Sequence, residues 1–297
     1  MNLPPVIDEF LASYIISPRE VTPLAVVDCD GTIIKGDIGE AMFYFQIERF
    51  LFRESPASLW PDHPDRKQLD QLYQSLVQNP PFIGSQDGRH ISFANLLLDW
   101  YFDQLKAGNT MKACSDIVRL WSGFRESEVV EIARDTLKSE LAPGPPERLL
   151  GKFLLPRGVR YIRETREMLE RIKAAGFNLW IVSGSNIWSV REVCRPLPVA
   201  PSQVAGVSLG RKGDLISSLV LHPVPVAEGK VELMKAKGFP KPLIVVSNSI
   251  QDLPLFQHCT GLKVLVQSDD QGMKFFERAN INPDESWVVV DQPTFDG

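Results

Sequence analysis

The apolar run Leu24-Ala25-Val26-Val27 leads straight into Asp28-Cys29-Asp30-Gly31-Thr32, and this junction constrains the fold more than any other stretch of the chain. The run reads as a short strand buried on both faces, as strands are in parallel sheets covered by helices. Asp28 and Asp30 stand at i and i+2, so they share a face if the strand persists. They would emerge at the carboxyl end of that strand, where open α/β sheets hold their ligands. Two crowded carboxylates raise one pKa, which leaves one acid ionised as a nucleophile and the other able to carry a proton, unless a cation neutralises both. Gly31 and Thr32 add a tight turn, backbone N–H groups and a hydroxyl that suit a phosphate. An ordinary Asp-Gly turn after a strand accounts for the same pentapeptide without chemistry, so later segments must decide.

Further apolar runs of strand length occur at Leu179–Val182, Leu243–Val246, Val264–Val266 and Trp287–Val290, most of them separated by helical patterns. Strands alternating with helices predict a doubly wound parallel sheet. About 150 residues without a convincing strand lie between the first and second runs, far more than a βαβ crossover needs. Within them Glu40–Phe52, Lys67–Val77, Phe93–Leu105, Met111–Leu120 and Glu126–Leu141 show apolar spacing near three to four, which predicts an inserted all-helical domain. The expected division is a core of residues 1–34 and 156–297 and an insertion of 35–155. Val204–Leu209 and Leu215–Leu221, flanking Gly210-Arg211-Lys212-Gly213-Asp214, read as a hairpin.

Three more segments carry chemistry. Ser183-Gly184-Ser185-Asn186 follows the second strand, offering a hydroxyl and amides to an anion, or a cap to the next helix. Glu228-Gly229-Lys230 opens a helical pattern, and an ammonium there would offset charge on a phosphate. Ser247-Asn248-Ser249-Ile250-Gln251-Asp252 ends another strand with oxygen ligands, a donor type that suits Mg²⁺.

In this order the segments resemble the haloacid dehalogenase-like hydrolase superfamily over approximately residues 21–34 and 155–270, and the large insertion after the first segment looks most like the phosphoserine phosphatase branch. The resemblance implies a Rossmann-like α/β core with an inserted helical cap. It implies Asp28 as the nucleophile that becomes an aspartyl-phosphate, Asp30 as acid and base, Ser183 on a phosphoryl oxygen, and Lys230 steadying nucleophile and phosphate. Thr32 and Gly184 would assist substrate binding, and Mg²⁺ would sit on Asp28, the Asp30 carbonyl, Asn248 and Asp252. Asn248 departs from the family, which commonly has Asp there; an amide oxygen still coordinates but lacks the charge, so weaker Mg²⁺ binding is expected. Asp37 falls where phosphoserine phosphatases carry an acid that meets the substrate amine, although it could equally cap the helix near Glu40.

The expected activity is Mg²⁺-dependent hydrolysis of a small-molecule phosphomonoester, phosphoserine-like or amine-bearing. Alternatives are a phosphocholine-type phosphatase, with Trp60, Trp100, Tyr101, Trp121 and Trp188 as a cation–π box or simply as core, a phosphotransferase or mutase, or a weakly active or non-catalytic binding protein on account of Asn248. With Lys+Arg 32 against Asp+Glu 37 there is no basic field for nucleic acid or an anionic membrane. No run approaches the roughly 18 apolar residues of a spanning helix. Dispersed Cys29, Cys114, Cys194 and Cys259 show no metal or disulfide spacing and suit a reducing cytoplasm.

Overall fold

The computed structural model describes residues 3–15, 21–84, 86–267, 274–291 and 293–296. Two compact units divide the chain: one of residues 1–37, 159–206 and 223–297, the other of 38–158 and 207–222.

The first unit is built on a six-stranded sheet. Its order runs Trp287–Asp291, Leu262–Gln267, Ile244–Ser247, Leu24–Val27, Asn178–Asn186, Val204–Val207. Leu24–Val27 pairs in parallel with both neighbours, Val27 aligning with Ile181 on one side and Val246 on the other. The next two pairings outward from Ile244–Ser247 are parallel as well. The sheet is doubly wound, as the apolar runs predict: from its central first strand the chain builds outward to one side, then returns to build the other. Leu24, Val26, Trp180, Val182, Val245 and Leu265 pack with Met234, Leu255, Phe256 and Phe275 in one core. Ala25, Val27, Leu179, Ile181, Ile244 and Val246 are buried too, so the central strands are covered on both faces. That explains why they read as continuous apolar runs rather than alternating ones.

Two short strands, Ile34–Lys35 and Arg160–Tyr161, pair antiparallel just past the Asp28–Thr32 loop. The segment 293–296 lies along them. Thr294 donates to both carboxylate oxygens of buried Glu164 at 2.8 Å, and Asp296 pairs with Arg163 and Arg166.

The second unit is mainly helical, with Ile38–Glu48, Arg66–Gln78, Gly88–Lys106, Thr110–Arg119 and Glu126–Leu141 close to the predicted spans and a short helix Pro56–Leu59 that was not predicted. It is not entirely helical. Glu147–Leu150 and Phe153–Pro156 form a hairpin that sequence reasoning did not anticipate, turning at Gly151, whose φ of +60 needs a residue without a Cβ. The predicted hairpin at 204–221 also differs. Val204–Val207 joins the core sheet, whereas Leu209–Lys212 and Leu215–Val220 pair with each other and belong to the helical unit. Backbone bonds tie Ile216 to Gly123 and Phe124, contacts that local apolar patterning cannot reveal. Among the described residues no helix is long and apolar enough to cross a membrane.

Candidate active site

The strand order reverses between Leu24–Val27 and Ile244–Ser247, and their carboxyl ends carry Asp28 and Asn248. The crevice at such a switch point is where doubly wound sheets bind ligands. The Asp28 N–H donates to Val246 O at 2.9 Å, extending the ladder one step beyond the strand and fixing the first acid. The chain then turns, with the Thr32 and Ile33 N–H groups both on Cys29 O. Gly31 has φ +70, and a Cβ there would meet Asn248 Nδ2 at 2.0 Å, so glycine is required for its conformation and for the close approach.

Lys230, only 4% exposed, places Nζ 2.7 Å from Asp28 Oδ1 and 2.7 Å from Asp252 Oδ2. Ser247 donates to that same Asp252 oxygen at 2.6 Å. The Thr32 hydroxyl lies 3.3 Å from Asp28 Oδ2 and 3.2 Å from Asn248 Oδ1, and it accepts the Asn248 N–H at 3.0 Å. Asp30 faces a different neighbourhood: its Oδ2 accepts from Ser183 at 3.0 Å and from Ser185 at 2.8 Å. Ser185 also lies 3.4 Å from Oδ1 of Asp37, an exposed residue directly before the helix Ile38–Glu48.

The charges are unbalanced, and the titration reflects it. Burial pushes the Asp28 carboxyl up to about 7; Lys230 opposes this, while Asp252 and Asp30 add to it. Burial alone would lower Lys230, yet Asp252 and Asp28 outweigh it and hold the ammonium well above its ordinary range. Asp28 and Asp252 flank one buried ammonium, so Lys230 keeps its proton, while burial, with Asp252 and Asp30 nearby, draws Asp28 towards acquiring one. Cys29, between the two acids, is a buried thiol pushed up by desolvation.

Asp28, Thr32, Lys230, Asn248 and Asp252 thus fall within one set of contacts, and Asp30, Asp37 and Ser183 within a second that Ser185 joins, both in the first unit. The second strand runs on through Ser183, Gly184 and Ser185 to Asn186. Asn186 takes the capping role, accepting the Ser189 N–H at 2.8 Å, while the Ser183 hydroxyl turns to Asp30. Ser185 and Ser247 carry contacts that sequence reasoning did not assign. Spacing i and i+2 from Ser183 along a strand was the signal available for Ser185. The five aromatics split up: Trp60 and Trp100 both donate to Asp116, Tyr101 packs edge-on to Phe43, and Trp121 edge-on to Phe124, all in the helical unit. Trp188 is buried in the other unit.

The oxygens gathered around Thr32 are hard donors: the Asp28 carboxylate and the Asn248 amide oxygen. Among the described residues no three His, Cys, Asp or Glu side chains group as a metal site. A cation here would rest on one or two carboxylates with amide, backbone and water oxygens, a donor set that fits Mg²⁺ rather than zinc.

A doubly wound α/β domain with paired acids and a buried lysine at its switch point belongs to the class of α/β enzymes that use carboxylates. More narrowly, the chain belongs to the haloacid dehalogenase-like hydrolase family, whose model matches residues 92–257, over half of its 297 residues. The matched stretch contains Ser183, Lys230, Asn248 and Asp252 and begins after the Asp28–Thr32 loop. No curated protein matches the sequence. Among solved structures, a conserved functionally unknown protein from Anaerococcus prevotii is similar at TM-score 0.67 and 16% identity, over 94% of this chain and 90% of that one. A protein of unknown function from Bordetella pertussis is similar at TM-score 0.54 and 13% identity, over 91% and 99%. Cytosolic 5′-nucleotidase IIIB bound to cytidine is similar at TM-score 0.50 and 15% identity, over 97% and 85%. At these identities the likeness is one of fold.

Proposed function

We propose that the chain is a phosphatase that hydrolyses a small-molecule phosphomonoester through an aspartyl-phosphate on Asp28. The observation that carries this reading is the division of labour between the two acids. Asp28 is bound to Lys230 and Thr32, the partners a nucleophile facing a phosphoryl group needs, whereas Asp30 is bound to serine hydroxyls, the partners of an acid that must be aimed.

In the first step the Asp28 carboxylate bonds to phosphorus, the bond to the ester oxygen breaks, and Asp30 delivers its proton to that leaving oxygen. In the second, Asp30 takes a proton from water as the water oxygen bonds to phosphorus and the Asp28–phosphorus bond breaks. The Lys230 ammonium offsets charge on nucleophile and phosphoryl group throughout. Asp28, Asn248, the Asp30 carbonyl and the remaining oxygen of Asp252 would hold Mg²⁺, which when bound supplies charge neutralisation at the phosphoryl oxygens. Asp37, exposed beside Ser185, supports an amine-bearing, phosphoserine-like substrate. Four free cysteines, three of them buried, suit a reducing cytoplasm.

The test is phosphate release from p-nitrophenyl phosphate and an amine-bearing alkyl phosphate, with and without Mg²⁺, by the native chain and Asp28→Asn. Mg²⁺-stimulated release that Asp28→Asn loses by at least about 10³-fold is the expected result. Undiminished release by Asp28→Asn removes the nucleophile assignment, and no release by the native chain removes the phosphatase reading.

A further inference from the structure

We infer that the segment 293–296 is a positioning strap for the Asp28–Thr32 loop: it adds a third strand to a ribbon of backbone hydrogen bonds that ends on that loop, and so fixes where the loop presents its two acids. Where activity is the measure, the inference rests on the phosphatase reading above.

The ribbon can be followed bond by bond. The Thr32, Ile33 and Ile34 N–H groups converge on Cys29 O at 3.2, 2.7 and 3.2 Å, and the Gly31 N–H donates to Gly36 O at 3.2 Å, which ties the loop to the chain just beyond it. Ile34 and Lys35 pair with Tyr161 and Arg160, and Ile33 O accepts the Ile162 N–H at 2.9 Å. Successive strand residues aim their N–H and C=O groups at opposite edges, so the backbone groups of Tyr161 and Arg163 point to the edge away from Ile33. There the Arg163 N–H donates to Thr294 O and the Asp296 N–H to Tyr161 O, both at 3.0 Å, bracketing an antiparallel pair of Ile162 with Phe295. A two-stranded ribbon is marginal by itself, and a third strand is what lets such a unit hold its shape.

Side chains fix the segment in place. Glu164, 6% exposed, takes one 2.8 Å bond from the Thr294 N–H and another from the Thr294 hydroxyl, one on each carboxylate oxygen. Asp296 pairs with Arg163 and Arg166, and Lys35 Nζ stands 5.1 Å from the centre of the Phe295 ring. Thr294 is the stronger anchor, because bonds to a buried carboxylate outweigh ion pairs whose arginines lie half in water. Arg163, Glu164 and Arg166 belong to the first turn of the helix Arg163–Ala174, so the segment clips that helix to the ribbon as well. Thr294 acts on the loop through Ile162 and Ile33, two strands away.

A segment that only added stability would loosen the whole core when weakened, whereas a strap loosens what it straps. The experiment compares backbone hydrogen exchange in Asp28–Gly36 with that in Leu262–Gln267, a strand elsewhere in the core sheet, and measures kcat and KM for p-nitrophenyl phosphate with Mg²⁺ present. Thr294→Val, which keeps the shape and loses the hydroxyl, is expected to speed exchange in Asp28–Gly36 about 10-fold while Leu262–Gln267 changes less than about 2-fold. It is expected to lower kcat about 5- to 10-fold with KM changed less than about 2-fold, the mark of misplaced reacting groups. Thr294→Ser, which keeps the O–H donor, is expected to restore both. Asp296→Asn, at the more exposed anchor, keeps the test available should the valine variant fold poorly, and is expected to show the same pattern at smaller amplitude. Exchange that rises equally in both segments, or in neither, overturns the strap and leaves the phosphatase reading standing. An unchanged kcat in a variant whose Asp28–Gly36 exchange has risen overturns the positioning role. Absence of phosphate release by the native chain overturns the phosphatase reading, and the exchange comparison then decides the strap by itself.

Discussion

Lys230 Nζ lies 2.7 Å from Asp28 Oδ1, a contact between residues 202 apart in sequence that joins the start of one helix to the end of the central strand. With Asp252 equally close to the ammonium, Lys230 contacts two buried acids at once. Replacing it with methionine removes the cation while keeping much of the volume, and leaves Asp28 and Asp252 buried beside one another. Breaking such a pair from one side costs about 3–5 kcal/mol. Urea unfolding of Lys230→Met at pH 7 is expected to show a loss of that order, reduced at pH 5, where Asp28 takes up a proton. A loss below about 1 kcal/mol would mean that water already screens the pair.

Asp28 makes stability depend on pH in a direction opposite to the usual carboxylate. Its folded pKa, about 7, lies above the ordinary value of 3.8. The unfolded chain therefore gives up this proton first, so Asp28 contributes its full share of stability below about pH 4 and loses it as pH rises through about 7. Other groups titrate in the same interval, and Asp28→Asn isolates this one. Measured in EDTA, the melting temperature of the native chain relative to Asp28→Asn should fall between pH 4 and 7. Parallel curves would contradict the shift. Added Mg²⁺ should narrow the gap, because a cation favours the ionised carboxylate.

Asn248 holds the position where a second charge would strengthen the cation site. Its amide oxygen shares the Thr32 hydroxyl with Asp28, and its Nδ2 rests against Gly31. Asn248→Asp keeps the shape and adds one negative ligand. The Mg²⁺ concentration for half-maximal phosphate release should drop roughly tenfold, since ligand charge is a principal control on affinity for hard cations. Without metal the same variant should melt lower, because Asp28 then gains another acid nearby. An unchanged Mg²⁺ requirement would exclude Asn248 from the ligand set.

Much of this fold can be read along the chain because its central strands are buried on both faces. Leu24–Val27 and Ile244–Ser247 become uninterrupted apolar runs, and the residues that follow them can only face the crevice. What was illegible depends on contacts made at long range or on irregular short elements. The run Val204–Leu209 gives no hint that it splits after Val207 between the core sheet and a separate hairpin. The grip of Thr294 on Glu164 spans 130 residues. Within the site, residue types marked the two acids and Lys230, but the sharing of Asp30 Oδ2 between Ser183 and Ser185 needed atomic positions, because hydrogen-bond allocation leaves no trace in residue spacing.

One strained residue sits beside Lys230 and is open to direct test. Ala227 has φ +51 and ψ −123, and the Gly229 N–H bonds back to Val226 O at 2.9 Å. That makes Ala227 the first central residue of a type II′ turn, a position glycine normally occupies. The turn delivers the chain into the helix Glu228–Ala236 so that Lys230, on its first turn, reaches Asp28. Strain of this kind costs about 1–3 kcal/mol, against which glycine loses about 0.5–1 kcal/mol in backbone entropy. Ala227→Gly should therefore stabilise the chain by about 1 kcal/mol in urea unfolding, with phosphate release unchanged. Ala227→Val, whose β-branch tolerates positive φ least, should destabilise it by at least that much and slow release as Lys230 shifts. Loss of stability in the glycine variant would show that the alanine methyl contributes packing that outweighs its strain.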